Sequence, residues 1–231
     1  MSGCVPSARK QCTVLRTHDS ERRWEVSEKI DIIIPTCKRL HEVQPLIAEI
    51  EANTLHPHRV IATCQRVSAP KNRNYGLTVA ESSIIVMVDD DMTGFFKGWL
   101  IKMIEPIQAD ANVCMVSARL MRETGEAAHN SGDNYDLDSK WAYVQRKVIP
   151  SAAIAFIDIG LKFDEEYIGS GFEDTDLCFQ YHRENPDYEF VINNECRLVH
   201  RNEMKSQKSD GIWEHNQAIF LRKWNGRMSP C

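Results

Sequence analysis

Ile84-Ile85-Val86-Met87-Val88-Asp89-Asp90-Asp91 is the stretch on which the fold turns. Its apolar part, mostly β-branched, is too short for a buried helix and reads as a strand covered on both faces, as inside a parallel sheet. Three carboxylates follow at once, and like charges this close raise one another's pKa. Two readings fit: a solvated acidic turn, or a site for a hard divalent cation such as Mg2+ or Mn2+ that takes oxygen ligands and completes its shell with phosphate and water. The second suits the edge of an open α/β sheet, where ligands sit beyond the carboxyl ends of strands.

Working outward, Ile30 to Ile34 is a similar run, stopped by Pro35 and Thr36. Leu40, Val43, Ile47 and Ile50 recur at helical spacing, with Pro45 expected in the first turn, where a missing N–H costs nothing. Arg59 to Thr63 reads as a strand, Pro70 to Ala80 as a helix, Trp99 to Ile107 as a helix and Val113 to Ala118 as a strand. Strands alternating with helices give an α/β class. Further on, residues 122 to 140 form a polar, turn-rich excursion, either a functional lid or a poorly ordered loop. Val148 to Ile157 is extended, Asp174 to Arg183 helical, and Glu189 to Ile192 and Arg197 to His200 are two late strands. Lys205 to Gly211 is expected to be a mobile linker, Asp210 to cap a last helix, and Trp213, Gln217, Phe220 and Trp224 to share one face of it.

Residues 1 to 29 are polar and read as a loosely attached arm, and 227 to 231 as a tail. Between them, residues 30 to 118 and 119 to 226 are expected to be two halves of one domain. The 231 residues carry 33 acidic and 28 basic side chains, so the net charge of −5 offers no overall attraction to nucleic acid or anionic membrane. No apolar run approaches a membrane span, and the first thirty residues collect none, so a cytoplasmic protein without a transmembrane segment is expected. Eight scattered cysteines, with no Cys-x-x-Cys pair, read as reduced thiols.

Three other segments carry chemistry. In Ser170-Gly171-Phe172-Glu173-Asp174-Thr175-Asp176, Glu173 and Asp174 stand at a helix start, where an ionised carboxylate can accept a proton from a hydroxyl or simply cap the helix. Pro70-Lys71-Asn72-Arg73-Asn74-Tyr75-Gly76 opens a helix with cations and amides that fit phosphate, or a solvated surface. His200, ending a late strand, is a fourth metal ligand or a structural histidine.

In chain order these residues resemble the inverting glycosyltransferases of family 2, with the GT-A fold, over about residues 30 to 226. Ile32 to Arg39 looks like the family's opening strand and loop, Arg73-Asn74-Tyr75-Gly76 its Arg-Asn-x-Gly element, and Val86 to Asp91 its Asp-x-Asp region. Phe163-Asp164-Glu165 through Gly171-Phe172-Glu173-Asp174-Thr175-Asp176 matches its most specific segment, and Phe220-Leu221-Arg222-Lys223-Trp224 its C-terminal Phe-x-x-Lys-Trp. The resemblance implies a single Rossmann-like, mainly parallel sheet flanked by helices, a nucleoside-diphosphate sugar donor and a divalent cofactor, Mn2+ or Mg2+. It implies Asp174 as catalytic base with Glu173 orienting the site or binding acceptor, and Asp91, Asp89 and His200 as metal ligands. Pro35, Thr36, Arg39, Arg73, Asn74, Asp89 and Asp90 would bind the nucleotide sugar. Relatives often place an Asp after the second strand; Ala62-Thr63-Cys64-Gln65-Arg66-Val67 has none, which leaves the base open, with UDP-sugar the commonest in the family.

The acceptor is expected along residues 119 to 150 and Gly169 to Phe172, where Trp141 and Phe172 offer stacking faces or core. A saccharide or other hydroxyl acceptor comes first. A modified nucleic-acid base is the alternative, through Lys205, Lys208, Arg222, Lys223 and Arg227, against the acidic Glu123, Glu126, Asp133, Asp136 and Asp138. A third reading is a non-catalytic sugar-nucleotide-binding module. A nucleotidyltransferase would need a glycine-rich phosphate loop, which Pro35-Thr36-Cys37-Lys38-Arg39 is not.

Overall fold

A computed structural model describes residues 29–128, 138–144, 148–201 and 211–224. The first strand, β1 (Ile30–Thr36), turns Ile30, Ile32 and Ile34 to one face of the sheet and Ile33 to the other, all buried. It lies between β2 (His58–Cys64) and β3 (Ile84–Val88), parallel to both. The sheet continues through β7 (Ala153–Ile157), β5 (Val113–Met121), β8 (Glu189–His200) and β4 (Met92–Thr93), with β6 (Trp141–Tyr143) pairing β8 as well. Strands β2, β1, β3, β5 and β8 run one way, while β7, β4 and β6 run the other. The sheet is therefore mixed with a parallel majority, as expected of the α/β class.

Helices cover both faces. α1 (Leu40–Asn53) and α3 (Trp99–Ala109) bury Leu46, Ile50, Trp99, Met103 and Ile104 against one. α2 (Ala69–Val79) and α4 (Glu173–Glu184) lie on the other, where Leu177, Cys178 and Tyr181 meet Ile85, Met87 and Phe156. α5 (Ile212–Trp224) packs Ile219, Phe220 and Trp224 with Tyr167 in a separate small cluster. Among the described residues no helix is long and apolar enough to cross a membrane. Cys114, Cys178 and Cys196 are buried and Cys37 and Cys64 exposed, all free thiols.

Several boundaries differ from expectation. Pro45 is the sixth residue of α1, past the first turn. It and His41, whose carbonyl loses its helical partner, are both exposed, so water can replace the bond. The two late strands are one, β8, with an irregularity between Asn193 and Arg197. β4 and β6 are too short to leave a periodic signal. On α5 the buried positions are Asn216, Ile219, Phe220 and Trp224, and Gln217 is exposed. The arm, the tail, Asp210 and most of the proposed linker lie outside the described residues, as do residues 129–137 of the polar excursion.

Because β1, β3, β5 and β8 share a direction, Thr36, the residues after Val88, Met121 and His200 come to one edge of the sheet. β7, running the other way, brings its first residues to that same edge. α2 crosses near it at Gly76, where an added Cβ would lie 2.4 Å from Ile33 Cγ2. Gly76→Ala should therefore cost about 1–3 kcal/mol of unfolding free energy by overpacking, read as a lower urea midpoint at unchanged slope.

Candidate active site

The three aspartates after β3 separate by role. Asp90 turns to β1: Thr36 Oγ1 donates to its Oδ2, and Lys38 Nζ reaches its Oδ1 at 2.8 Å and its carbonyl at 3.1 Å. Asp89 and Asp91 instead converge with His200, their ligand atoms all within 4.8 Å of one another. Strand β8 supplies the histidine because Met92 of β4 pairs with His200, which brings its Nε2 to 3.2 Å from Asp91 Oδ1. Burial acts to raise Asp91, but the hydrogen bond and charge of His200, helped by Lys38, outweigh it and hold the carboxyl below its ordinary value. Desolvation pushes Asp89 up against the pull of Arg73, and Asp91 adds to the rise. Two carboxylates and an imidazole in this arrangement are a donor set for Mn2+ or Mg2+, and a cation would relieve the repulsion between the two aspartates.

Facing this cluster is the start of α4, and Arg73 of α2 joins the two. Its Nη1 donates to Glu173 Oε1 at 2.6 Å and its Nη2 to Asp89 Oδ1 at 3.2 Å, while the guanidinium lies 5.2 Å from the Phe163 ring centroid. Arg73 and Glu173 are both buried. Burial pushes the Glu173 carboxyl up to about 7, with Arg73 pulling it down and Asp174 adding to the rise, and the acidic neighbours raise the Arg73 guanidinium despite its burial. Glu173 also accepts the Gly171 N–H. Its place is therefore structural to the site: it holds Arg73 and the turn into α4.

Asp174 is only partly buried. Ser151 Oγ donates to its Oδ2 at 2.7 Å and the Thr175 N–H to its Oδ1 at 2.7 Å, so both carboxylate oxygens are oriented. The helix start is strained: Phe172, the residue before Glu173, has φ of 69°. A bulky residue in that region is an outlier of the kind found at functional sites.

Other expected site residues lie elsewhere. Arg39 is exposed at the head of α1, and Pro35 pairs with Thr63 inside the sheet. Asn74 is buried, exchanging hydrogen bonds with the Phe163 backbone at 2.8 and 2.9 Å and reaching Glu165 Oε1 at 2.9 Å, so its amide secures a loop. Trp141 packs against the α1/α3 side of the sheet, opposite α4, with Lys140 Nζ 4.9 Å from its ring centroid, which is the core alternative of its two readings. Phe172 is folded into the α5 cluster, 4.6 Å from Trp213 and 5.5 Å from Phe220 between ring centroids. Within that cluster the open ring is Trp213, 39% exposed.

Sequence reasoning missed the positioning residues. Asn216 of α5 donates to the carbonyls of Ile168 and Gly171 at 2.8 and 2.9 Å and accepts from the Ile168 N–H, pinning the loop before α4. Asp176 is fully buried and accepts from Tyr167, Gln180, Lys223 and Trp224, so the Lys-Trp pair of α5 anchors that helix to α4. Lys223 also meets Asp164 at 2.8 Å, and Arg222 pairs with Glu166. Ser68 Oγ and Asn72 Oδ1 are buried near the ends of β1 and β2 without a partner among the described residues.

No family model and no curated protein sequence matches the chain. Solved structures do. GalNAc-T7 with UDP, GalNAc and Mn2+ is similar at a TM-score of 0.62 and 10% identity, covering 87% of this chain and 49% of that one. S. aureus TarS in complex with UDP-GlcNAc gives 0.61 at 14% identity, over 87% of this chain and 68% of that one. The mannosyltransferase PcManGT from Pyrobaculum calidifontis, with GDP-Man and Mn2+, gives 0.54 at 14%, over 88% and 64%. The chain thus spans about half of the first structure and about two thirds of the others. These likenesses define the fold: it is GT-A.

The buried Arg73 link generates a quantitative expectation. Arg73→Met leaves Glu173 uncompensated and should cost about 3–5 kcal/mol in urea unfolding, whereas adding Glu173→Gln should recover a large part of that loss. Strict additivity of the two substitutions would contradict the link.

Proposed function

We propose that the chain is a metal-dependent glycosyltransferase of the family 2 type, moving a sugar from a nucleoside-diphosphate donor to an acceptor hydroxyl with inversion. The observation that carries this reading is the pairing, across one guanidinium, of the Asp89–Asp91–His200 cluster with the carboxylate pair Glu173–Asp174 on a GT-A sheet. Asp89, Asp91 and His200 would hold the divalent ion, which supplies positive charge for the departing diphosphate. The half formed by residues 30 to 118 would bind the donor, and residues 119 to 226 the acceptor.

Asp174 would take the proton from the acceptor hydroxyl as its oxygen attacks the anomeric carbon from the face opposite the diphosphate. Ser151 and the Thr175 N–H fix the plane of its carboxylate for that transfer. Glu173 and Arg73 hold Asp174 and Asp89 in relation to each other, and Trp213, backed by Phe172, offers a face on which a sugar ring can stack. The acceptor in this reading is a saccharide. Of the basic residues that would favour nucleic acid, Arg222 and Lys223 are already paired with carboxylates.

A thermal-shift panel of UDP, GDP, CDP and dTDP sugars with Mn2+, Mg2+ or chelator tests the donor half, since a ligand of the native state raises its melting temperature. One donor should give a metal-dependent shift that Asp174→Asn keeps and Asp91→Ala loses. Asp174→Asn should lower transfer, or hydrolysis of the donor, by about 10²–10⁴. No shift with any donor, or full turnover by Asp174→Asn, would overturn the assignment.

A further inference from the structure

Strands β5 and β8 are parallel neighbours, and Arg119 stands directly opposite Arg197. Ala118 and Leu120 on one strand, and Cys196 and Leu198 on the other, belong to the core on the α1/α3 side. By alternation both arginines project from the opposite face, the one that carries α2 and α4. Like charges directly opposite in a sheet are destabilising. Burial and the neighbouring Arg197 act together to lower the Arg119 pKa, with only Asp138 opposing them. Arg119 Nε is buried without a hydrogen-bond partner, and Arg197 Nε is satisfied by the Asn194 carbonyl alone. Among the described residues neither guanidinium has a carboxylate within ion-pair distance, although the chain has acidic residues in excess.

The pair is also placed with respect to the reaction centre. The contacts of β5 with β7 include Ser117 opposite Ile154. Arg119 lies two residues before Met121, where β5 ends, and Arg197 three before His200, so both stand close to the edge of the sheet at which the carboxylates gather. A group bound by the two arginines would thus lie toward that edge, on the face of the sheet that carries α4, whose first turn holds the carboxylate assigned as base.

We infer that the acceptor carries an anionic group, a phosphate or a carboxylate, and that Arg119 and Arg197 bind it; the inference rests on the glycosyl-transfer reading above. Guanidinium forks match both oxyanions, and an anion between them turns an internal repulsion into two charge-assisted contacts. Two arginines on adjacent strands fit one such group. They do not make the extended cationic track that a polyanion would follow, and Arg122 and Arg201, which follow the ends of these two strands, already face Glu126 and Glu123.

The test follows the arginine Nε–H resonances of the full chain by NMR, assigned with Arg119→Lys and Arg197→Lys, during titration with inorganic phosphate and, separately, glucuronate, without added metal. At least one anion should shift both resonances saturably, and which one does identifies the group. Binding should weaken about tenfold or more in Arg119→Gln and in Arg197→Gln. The metal-dependent donor shift should be unchanged in both. Arg197 is exposed, so its variant carries the test if Arg119→Gln melts early. Neither anion moving the resonances, undiminished binding by Arg197→Gln, or preferential binding of a DNA duplex with a steep salt dependence would overturn the inference. The titration needs neither donor nor metal, so its failure removes the arginine site alone, whereas absence of any donor shift removes the transfer reading.

Discussion

One guanidinium sits between the carboxylate of Asp89 after β3 and that of Glu173 at the start of α4, and the two sides of the cleft take their separation from it. A buried cation without partners would cost several kcal/mol, and so would the buried Glu173 carboxylate alone. Together they are tolerable, provided α2, β3 and α4 all keep their places. α2 is accordingly an unusual helix: its buried positions are Pro70, Asn72, Arg73, Asn74 and Gly76, and four of these five offer polar groups or no side chain. Such a helix contributes little hydrophobic stabilisation, and its seat depends on Gly76 approaching Ile33 and on Asn72 and Asn74 bonding backbone carbonyls.

The α/β architecture was legible because the deciding strands are uniformly apolar and end abruptly. Ile84 to Val88 and Ile30 to Ile34 have no competing helical interpretation at their length, and α1 between them shows apolar spacing at three and four. What escaped reading depends on tertiary pairing. β4 and β6 exist because β8 presents an edge to them, and β8 itself is continuous across Asn193 to Arg197 because its neighbour β5 carries the pairing over the irregularity. Pro45 could sit deep in α1 because its face of the helix meets water.

At the site, residue types pointed to the right neighbourhood more readily than to the right partner. Asp89 and Asp91 converge in the structure with His200, more than a hundred residues further along the chain; their chemistry allowed a metal site, and the family resemblance implied one. Asp90, Asn74 and Arg73 carry the same kinds of group, yet their hydrogen bonds go to Thr36 and Lys38, to Phe163, and to two carboxylates. No local pattern distinguishes an amide that holds a loop from one that holds a phosphate. The partners of Asn216 and Asp176 escaped reading for the same reason, since they come from other elements.

Strand β7 runs against its neighbours β3 and β5, so the chain enters it, rather than leaves it, at the edge where the carboxylates gather. Its entry delivers Ser151 to Asp174, so residues 148 to 151 lead into the cleft rather than out of it. Lengthening such a leader costs loop-closure entropy that rises only with the logarithm of its length. Chains of this design can thus vary one wall of the cleft by insertion and deletion ahead of a fixed strand, while the aspartates after β3, reached from the opposite direction, stay in register.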